Sequence, residues 1–431
     1  MAREMKDSGI KWFGSIPVNW KKVAVKRLFE IGRGRVIATT ELSDFGYPVY
    51  SSQTKNNGVL GYIDTYDYNR SQLTWTTDGA NAGTVFLREG KHNCTNVCGT
   101  LMPILESANN LRYLKYIVSY TAFFHKRADI NGYKIMNNEM AEIIIILPSQ
   151  EEQNRIADFL DTQCAHIDSV IEKTRAAIEE YKRLKQSVIT QAVTKGIRPN
   201  REMKDSGIEW IGEIPKEWKA ILIIRLLDYS HPYPLGDGDH GLIKTESYQQ
   251  TGIPYIRVQN LSWGQDLILD NLVYISEKDN NRIINSTLKP NDILFAKTGA
   301  TIGKTGIVPN SIPVANTTSH IGKLTLSNTV NSKYVFYSLS SHVGYRQFWE
   351  RACLKATRPE LTIDEIRSIK VILPDSFTEQ SEIVAYLDEK TTAIDSLIQK
   401  KEQLISELEA YKKSLIYEYV TGKKEVPVHA H

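Results

Sequence analysis

Three short motifs and a set of polar loops carry the side chains of this chain that could do chemistry. His92-Asn-Cys94-Thr-Asn-Val-Cys98 offers three zinc ligands, but no fourth lies nearby and there is no second cysteine pair, so core thiols are the better reading. Gly299-Ala-Thr-Ile-Gly303-Lys304-Thr305 imitates a phosphate-cradling loop, yet three residues separate its glycines where four are needed. Gly306 and Pro309 also oppose the helix whose N-terminus would hold the phosphates. The run His231 to His240 has too many turn formers and the wrong spacing for a calcium loop, and reads as an irregular entry to the segment after it. The loops are different. Asn and Gln can pair bidentately with adenine, and Arg or Lys with guanine, so amide, hydroxyl and cationic groups on Gly-rich loops suit the edges and phosphates of duplex DNA. In the first half of the chain these are Ser52, Gln53, Thr54, Lys55 and Asn56, then Thr77 and Asn81, then Asn131, Tyr133 and Lys134. In the second half they are Arg257, Gln259 and Asn260, then Lys297, Thr298, Thr301, Lys304, Asn316 and Thr317, then Lys355, Thr357 and Arg358. Each reads equally well as a turn residue satisfying its own backbone, and Asp64 and Asp78 are better read that way. No residue is assigned to catalysis or to a metal. An Asn/Asp-Pro-Pro-aromatic segment for amino methylation is missing, as is a Gly-rich cofactor loop behind a clear strand.

The elements that must position these loops come in duplicate. Residues 3–20 read REMKDSGIKWFGSIPVNW and residues 201–218 read REMKDSGIEWIGEIPKEW, an offset of 198. A second pair, 153–194 onto 380–421, repeats at an offset of 227. The first pair suggests an irregular strap pinned to a core by Ile10, Trp12, Ile16 and Trp20. The second is charged, almost free of Gly and Pro, and predicts two long helices, each about 60 Å long. Leu160, Ile167, Ile171, Ile178, Tyr181 and Val188 hold an a/d register in the first, and Leu387, Ile394, Ile398, Ile405, Leu408 and Leu415 in the second. Two such stripes most simply bury each other, antiparallel, with a variable reader at either end; two helices docked separately on their own domains is the other arrangement. Between the repeats lie two segments that share less. Pro48, Gln53 and Gly58 match Pro254, Gln259 and Gly264, and Trp75-Thr-Thr-Asp-Gly-Ala80 resembles Phe295-Ala-Lys-Thr-Gly-Ala300, so the readers share a fold and differ in detail. Strands are expected near Pro48 to Tyr50, Gly83 to Leu87 and Glu142 to Leu147, and a helix over 111–127. The expected domains are 1–150 (strap and first reader), 151–196 (central spacer helix), 197–376 (repeated strap and second reader), 377–423 (C-terminal spacer helix) and 424–431 (tail).

At 431 residues the chain is too long for one ordinary core. A net charge of +3 is too weak to prove a polyanion partner, but the variable segments 21–150 and 219–376 carry +4 and +3 and leave the frame acidic. Four cysteines form no disulfide pattern, and the longest apolar runs, Ile143 to Leu147 and Ala220 to Ile224, are strand-sized. A reducing, cytoplasmic setting is expected.

The segment SGIxWxGxIPxxW, together with PYIRVQNL, KPNDILFAKTGATIGKTGIVP, LTIDEIRSIKVILP and EQxxIxxxLD…ID, resembles the specificity subunits of Type I restriction-modification systems over about residues 5–423. The resemblance implies a mixed α/β fold: two α/β target-recognition domains separated by two long antiparallel coiled-coil helices in a pseudo-twofold internal repeat. It implies a non-catalytic subunit that reads a bipartite duplex DNA target. The helices would dock two modification (methyltransferase) subunits, and two restriction (motor-nuclease) subunits would join them. S-adenosylmethionine, ATP and Mg would then sit in those partners, with no cofactor in this chain. The rival reading, a structural coiled-coil assembly protein with two protein-binding domains, fits the helices equally but not the polar loops, since protein-binding surfaces favour aromatic and aliphatic anchors.

Overall fold

The computed structural model describes residues 3–106, 108–130, 132–264, 266–353 and 359–427. Two compact units make up the chain, Met1–Arg175 with Gln403–His431, and Ala176–Glu402. The division runs through both long helices, so each unit owns part of each.

In each unit the strap is a β-hairpin rather than an irregular segment. Met5–Asp7 pairs antiparallel with Ser15–Pro17, and Met203–Asp205 with Glu213–Pro215. The shared Asp-Ser-Gly supplies the turn: Asp7 Oδ1 accepts from the Gly9 amide at 3.0 Å and Ser8 Oγ from the Ile10 amide at 3.1 Å. Asp205 and Ser206 do the same at 3.0 and 3.1 Å. Phe13, Ile16 and Trp20 are buried beneath the first hairpin, with Ile10 and Trp12 at its margin. Ile208, Ile211, Ile214 and Trp218 are buried beneath the second. Each hairpin is then locked to the first turn of a long helix. Trp20 Nε1 donates to Glu152 at 2.9 Å and Arg3 pairs with Glu152 at 2.6 Å. Trp218 Nε1 donates to Glu379 at 3.3 Å, and Arg201 pairs with the same carboxylate. Glu379→Ala is expected to cost about 1–2 kcal/mol, because it orphans a buried indole N–H and leaves the mostly buried Arg201 with only its second carboxylate partner, Glu217 at 3.1 Å. A shift of the urea midpoint with an unchanged slope checks it.

The readers are built alike. In the first unit a four-stranded antiparallel sheet runs Val85–Arg88, Gln72–Thr76, Cys98–Pro103, Phe29–Arg33. A second runs Val59–Ile63, Tyr47–Tyr50, Lys91–Cys94, Tyr68–Asn69, its middle pair parallel. In the second unit the sheets run Leu235–Asp237, Ile321–Leu324, Ile293–Ala296, Thr305–Ile307, and Val273–Ile275, Ile253–Ile256, Asn316–Thr317, the last pair parallel. The four-stranded antiparallel sheets of the two units share a detail. Trp75 faces Gly99 across its sheet and Phe295 faces Gly322; a Cβ on either glycine would come within 2.3 Å of the ring. Only glycine lets the aromatic lie flat on the neighbouring strand. The run Ala220 to Ile224 is strand only as far as Leu222, after which Ile223–Leu226 tightens into a 3-10 turn.

A second repeated lock ties reader to helix. Asn110 caps the helix Leu111–His125, and its amide donates to Gln153 Oε1 at 2.9 Å. Asn331 caps Ser332–Ser340, and its amide donates to Gln380 Oε1 at 2.9 Å. Tyr116 and Tyr337 then donate to Asp161 and Asp388 at 2.7 and 2.6 Å.

The long helices are Gln150–Lys195 and Phe377–Val420, ended by Gly196 at φ +78° and Gly422 at φ +71°. Within the first unit they run antiparallel, with Asp168 on Lys412 at 2.6 Å and Arg175 on Glu409 at 3.0 Å. Leu160, Ile167, Ile171 and Leu415 are buried there and Ile405 and Leu408 partly so. Within the second unit the pairing is again antiparallel, with Lys185 on Asp395 at 2.6 Å and Lys401 over the Tyr181 ring at 5.7 Å. Ile178, Leu387 and Ile394 are buried, while Tyr181, Val188 and Ile398 are half-buried. Among the described residues no helix is long and apolar enough to cross a membrane.

Candidate nucleic-acid interface

In the first unit the fold gathers the candidate loops on one rim. The short strand Asp78–Gly79 pairs with Gly132–Lys134, which brings Asp78 against Lys134 and Gly79 against Tyr133. Asn81 Nδ2 donates to Thr54 Oγ1 at 3.1 Å and joins this ribbon to the 52–58 loop. The carbonyl of Val97 accepts from both Ser52 Oγ at 2.7 Å and Thr77 Oγ1 at 2.9 Å. Lys55, Asn56, Asn81 and Tyr133 remain exposed. Gln53 is turned inward onto the Val59 carbonyl. Thr77 is wholly buried, so its hydroxyl supports the rim and cannot meet DNA. Lys134 is spoken for by Asp78 at 3.2 Å and Asp129 at 3.7 Å. Burial opposes the Asp78 charge, but bonds from Thr77 and Lys134 outweigh it and hold the carboxyl below its usual range. Asn131 lies outside the described residues.

In the second unit the expectation fails at more positions. Asn316 is wholly buried. Its amide donates to Asn280 Oδ1 at 2.8 Å and the Ile283 carbonyl at 3.2 Å, and its oxygen accepts from Ser286 at 2.7 Å. Thr317, also buried, donates to the Ile256 carbonyl at 3.1 Å. Asn260 is buried and staples its own turn, accepting from the Arg257 amide and donating to the Ile268 carbonyl, each at 2.9 Å. Lys297 is buried against Asp237 at 2.6 Å, with Glu360 at 3.5 Å. In each case a polar group expected at the surface instead satisfies backbone or charge that the fold has removed from water. Arg257 donates to the Asn271 carbonyl at 3.0 Å. Thr298 sits 3.1 Å from His320, and Thr301 donates to the Thr298 carbonyl at 3.1 Å. Gln259 is exposed, and Lys304 lines a cleft of about 600 Å³ with Trp263, Gln186 and Lys182. Among the described residues neither Lys55 nor Lys304 has an ion-pair partner, which leaves both charges available to an anion. Lys355, Thr357 and Arg358 lie outside the described residues. Trp263, half exposed beside Lys304, went unnoticed in the sequence because a lone tryptophan in a loop has no distinguishing spacing.

Two of the three motifs are accounted for by geometry. Residues 297–304 connect the antiparallel strands Ile293–Ala296 and Thr305–Ile307, so the glycines lead into a strand and not into the α-helix that a phosphate-cradling loop opens. His92 bridges the Gly90 carbonyl at 2.9 Å and Gln72 at 2.8 Å, and burial pushes its pKa down, favouring the neutral ring. Cys94 and Cys98 are buried, and among the described residues no three His, Cys, Asp or Glu side chains are grouped to hold a metal.

Known proteins resemble this arrangement over most of its length. A family model described as the Type I restriction modification DNA specificity domain matches residues 17–180 and again 240–409. A Type I restriction enzyme specificity subunit of Methanocaldococcus jannaschii is 24% identical over 428 residues, covering 95% of this chain and 94% of that protein. A Type I restriction enzyme specificity subunit of Mycoplasma pneumoniae is 35% identical over 163 residues, which is 37% of this chain and 48% of that protein. A solved structure, described as the structural basis of complex assembly and conformational transition of the type I restriction-modification system, superimposes with a TM-score of 0.67. It covers 95% of this chain and 99% of its own at 14% identity, a likeness of fold alone.

Proposed function

The chain belongs to the Type I restriction-modification specificity family, and from that premise we propose that it binds duplex DNA sequence-specifically at a bipartite target, one half read by each unit. The observation that carries this reading is the pairing of an invariant frame with unlike rims. The hairpins, Trp–Glu locks and Asn caps repeat nearly residue for residue. The rims differ: Lys55, Asn56 and Asn81 in one, Gln259, Lys304 and Trp263 in the other. Donors on loops and turns carried by paired strands suit base edges and phosphates.

The chain targets chemistry done elsewhere. Two modification subunits and, through them, two restriction subunits would dock on it, with the long helices as spacer and S-adenosylmethionine, ATP and Mg held by those partners. Phe123 and Phe124, 61% and 43% exposed on the helix Leu111–His125, are the kind of aromatic anchors a protein partner buries. The purified chain alone is expected neither to methylate nor to cut DNA, and addition of its cognate methyltransferase to confer methylation on one split sequence. Methyl transfer by rigorously purified chain would overturn the targeting role; a complex indifferent to sequence would overturn the reading of DNA.

A further inference from the structure

Arg88 closes the strand Val85–Arg88 and is 1% exposed. A guanidinium removed so far from water has to be held by the protein. Its Nε donates to Thr74 Oγ1 at 3.0 Å, and its Cζ lies 3.6 Å from the Tyr50 ring centre and 4.3 Å from that of Phe86. Its Nη1 donates to the carbonyl of Asn57 at 2.7 Å. That carbonyl belongs to an unusual piece of chain. Asn56 and Asn57 are consecutive non-glycine residues in the left-handed region, at φ +48° and +50°, and Gly58 follows at φ +80°. Such a run costs conformational energy and persists only where its surroundings impose it. A Cβ at residue 58 would come 2.8 Å from Arg88 Nη2, so glycine there is what admits the cation. Above this buried fork the side chains of Lys55 and Asn56 are exposed.

We propose that Arg88 is the positioning residue of the 52–58 loop: by clamping the Asn57 carbonyl it fixes the one conformation in which Lys55 and Asn56 meet DNA, and so sets specificity for one half of the target. The inference rests on the DNA-reading role proposed above. The second unit holds its corresponding turn differently, through the buried Asn260 amide, so Arg88 governs one half only.

The test uses the full chain assembled with its cognate methyltransferase and duplex libraries randomised in one half or the other. Arg88→Met and Gly58→Ala are expected to lose about tenfold in discrimination within one half, the size of one good base contact, and to keep discrimination within the other. Amide exchange should quicken over residues 52–60 and not elsewhere. Arg88→Lys should fail to restore discrimination, since an ammonium lacks the planar fork that serves Thr74 and Asn57 at once. A Lys55→Ala/Asn56→Ala variant separates the two ideas. If it loses discrimination while Arg88→Met and Gly58→Ala keep it, the positioning role is wrong. If it too keeps discrimination, the loop does not read DNA and the premise falls instead. Equal losses in both halves would mean general destabilisation and would also overturn the proposal. Should Arg88→Met not assemble, Gly58→Ala, which disturbs the same contact from the loop side, decides.

Discussion

A chimera in which residues 21–149 are exchanged for the matching segment of another specificity subunit is expected to direct methylation to a target with one new half and one unchanged half. The physical reason is where the segment begins and ends. Lys21–Ala24 pairs directly with Ile144–Leu147, so the exchanged piece leaves and re-enters the frame through two adjacent strands. Just outside the cuts, Trp20 and Glu152 remain to lock hairpin to helix. Lys219–Leu222 and Lys370–Leu373 make the same seam in the other unit. Each lost base-pair contact is worth about 1–3 kcal/mol, so replacing a reader that makes several should move preference by orders of magnitude. Methylation mapping of a host carrying wild-type or chimeric chain measures it, and a change in both halves together would show that the readers are not independent.

How much of this was legible in the sequence follows from what repeats and what does not. The frame was legible because its signals are periodic or duplicated: an offset of 198, another of 227, and an a/d stripe long enough to dictate two helices. Even there the strap hid its form, since Asp7-Ser8-Gly9 is turn chemistry that makes a hairpin of what looked irregular. The rims were legible only as loops. Whether a polar side chain points out or in depends on strand pairing, which composition does not carry. Asn316 and Thr317 look like any Asn-Thr pair in a loop, yet parallel pairing with Tyr255 and Ile256 turns them into the interior. Arg88 is one arginine among many in sequence. Only the close approach of Gly58 and the unusual backbone of Asn56 and Asn57 make it distinctive. Gln153 and Asp161 stand in the 227-residue repeat, but their partners Asn110 and Tyr116 lie in the variable segment, so duplication did not mark the locks they form.

Asp395→Ala is expected to destabilise the chain by about 3 kcal/mol, whereas the corresponding Asp168→Ala should cost less than about 1 kcal/mol. The two aspartates are 227 residues apart and make the same contact, Asp395 with Lys185 and Asp168 with Lys412, each at 2.6 Å. Their surroundings differ. Lys185 interrupts the apolar stripe between Tyr181 and Val188, an a position of the seam, and its side chain is only 6% exposed. Lys412 is 27% exposed and its partner Asp168 56%. Removing a carboxylate beside a buried ammonium leaves an unpaired charge out of water; removing one from a solvated pair leaves an ammonium that water can serve. A buried polar group at an a position usually fixes register at some cost in stability. The double variant Lys185→Leu/Asp395→Leu should therefore recover most or all of the loss while relaxing the alignment of the two helices within this unit. Urea unfolding of the three variants decides. If Asp395→Ala is as mild as Asp168→Ala, or if the double leucine variant is no more stable than Asp395→Ala, Lys185 is not a buried charge held in register by its partner, and the antiparallel alignment must be set by the apolar stripe alone.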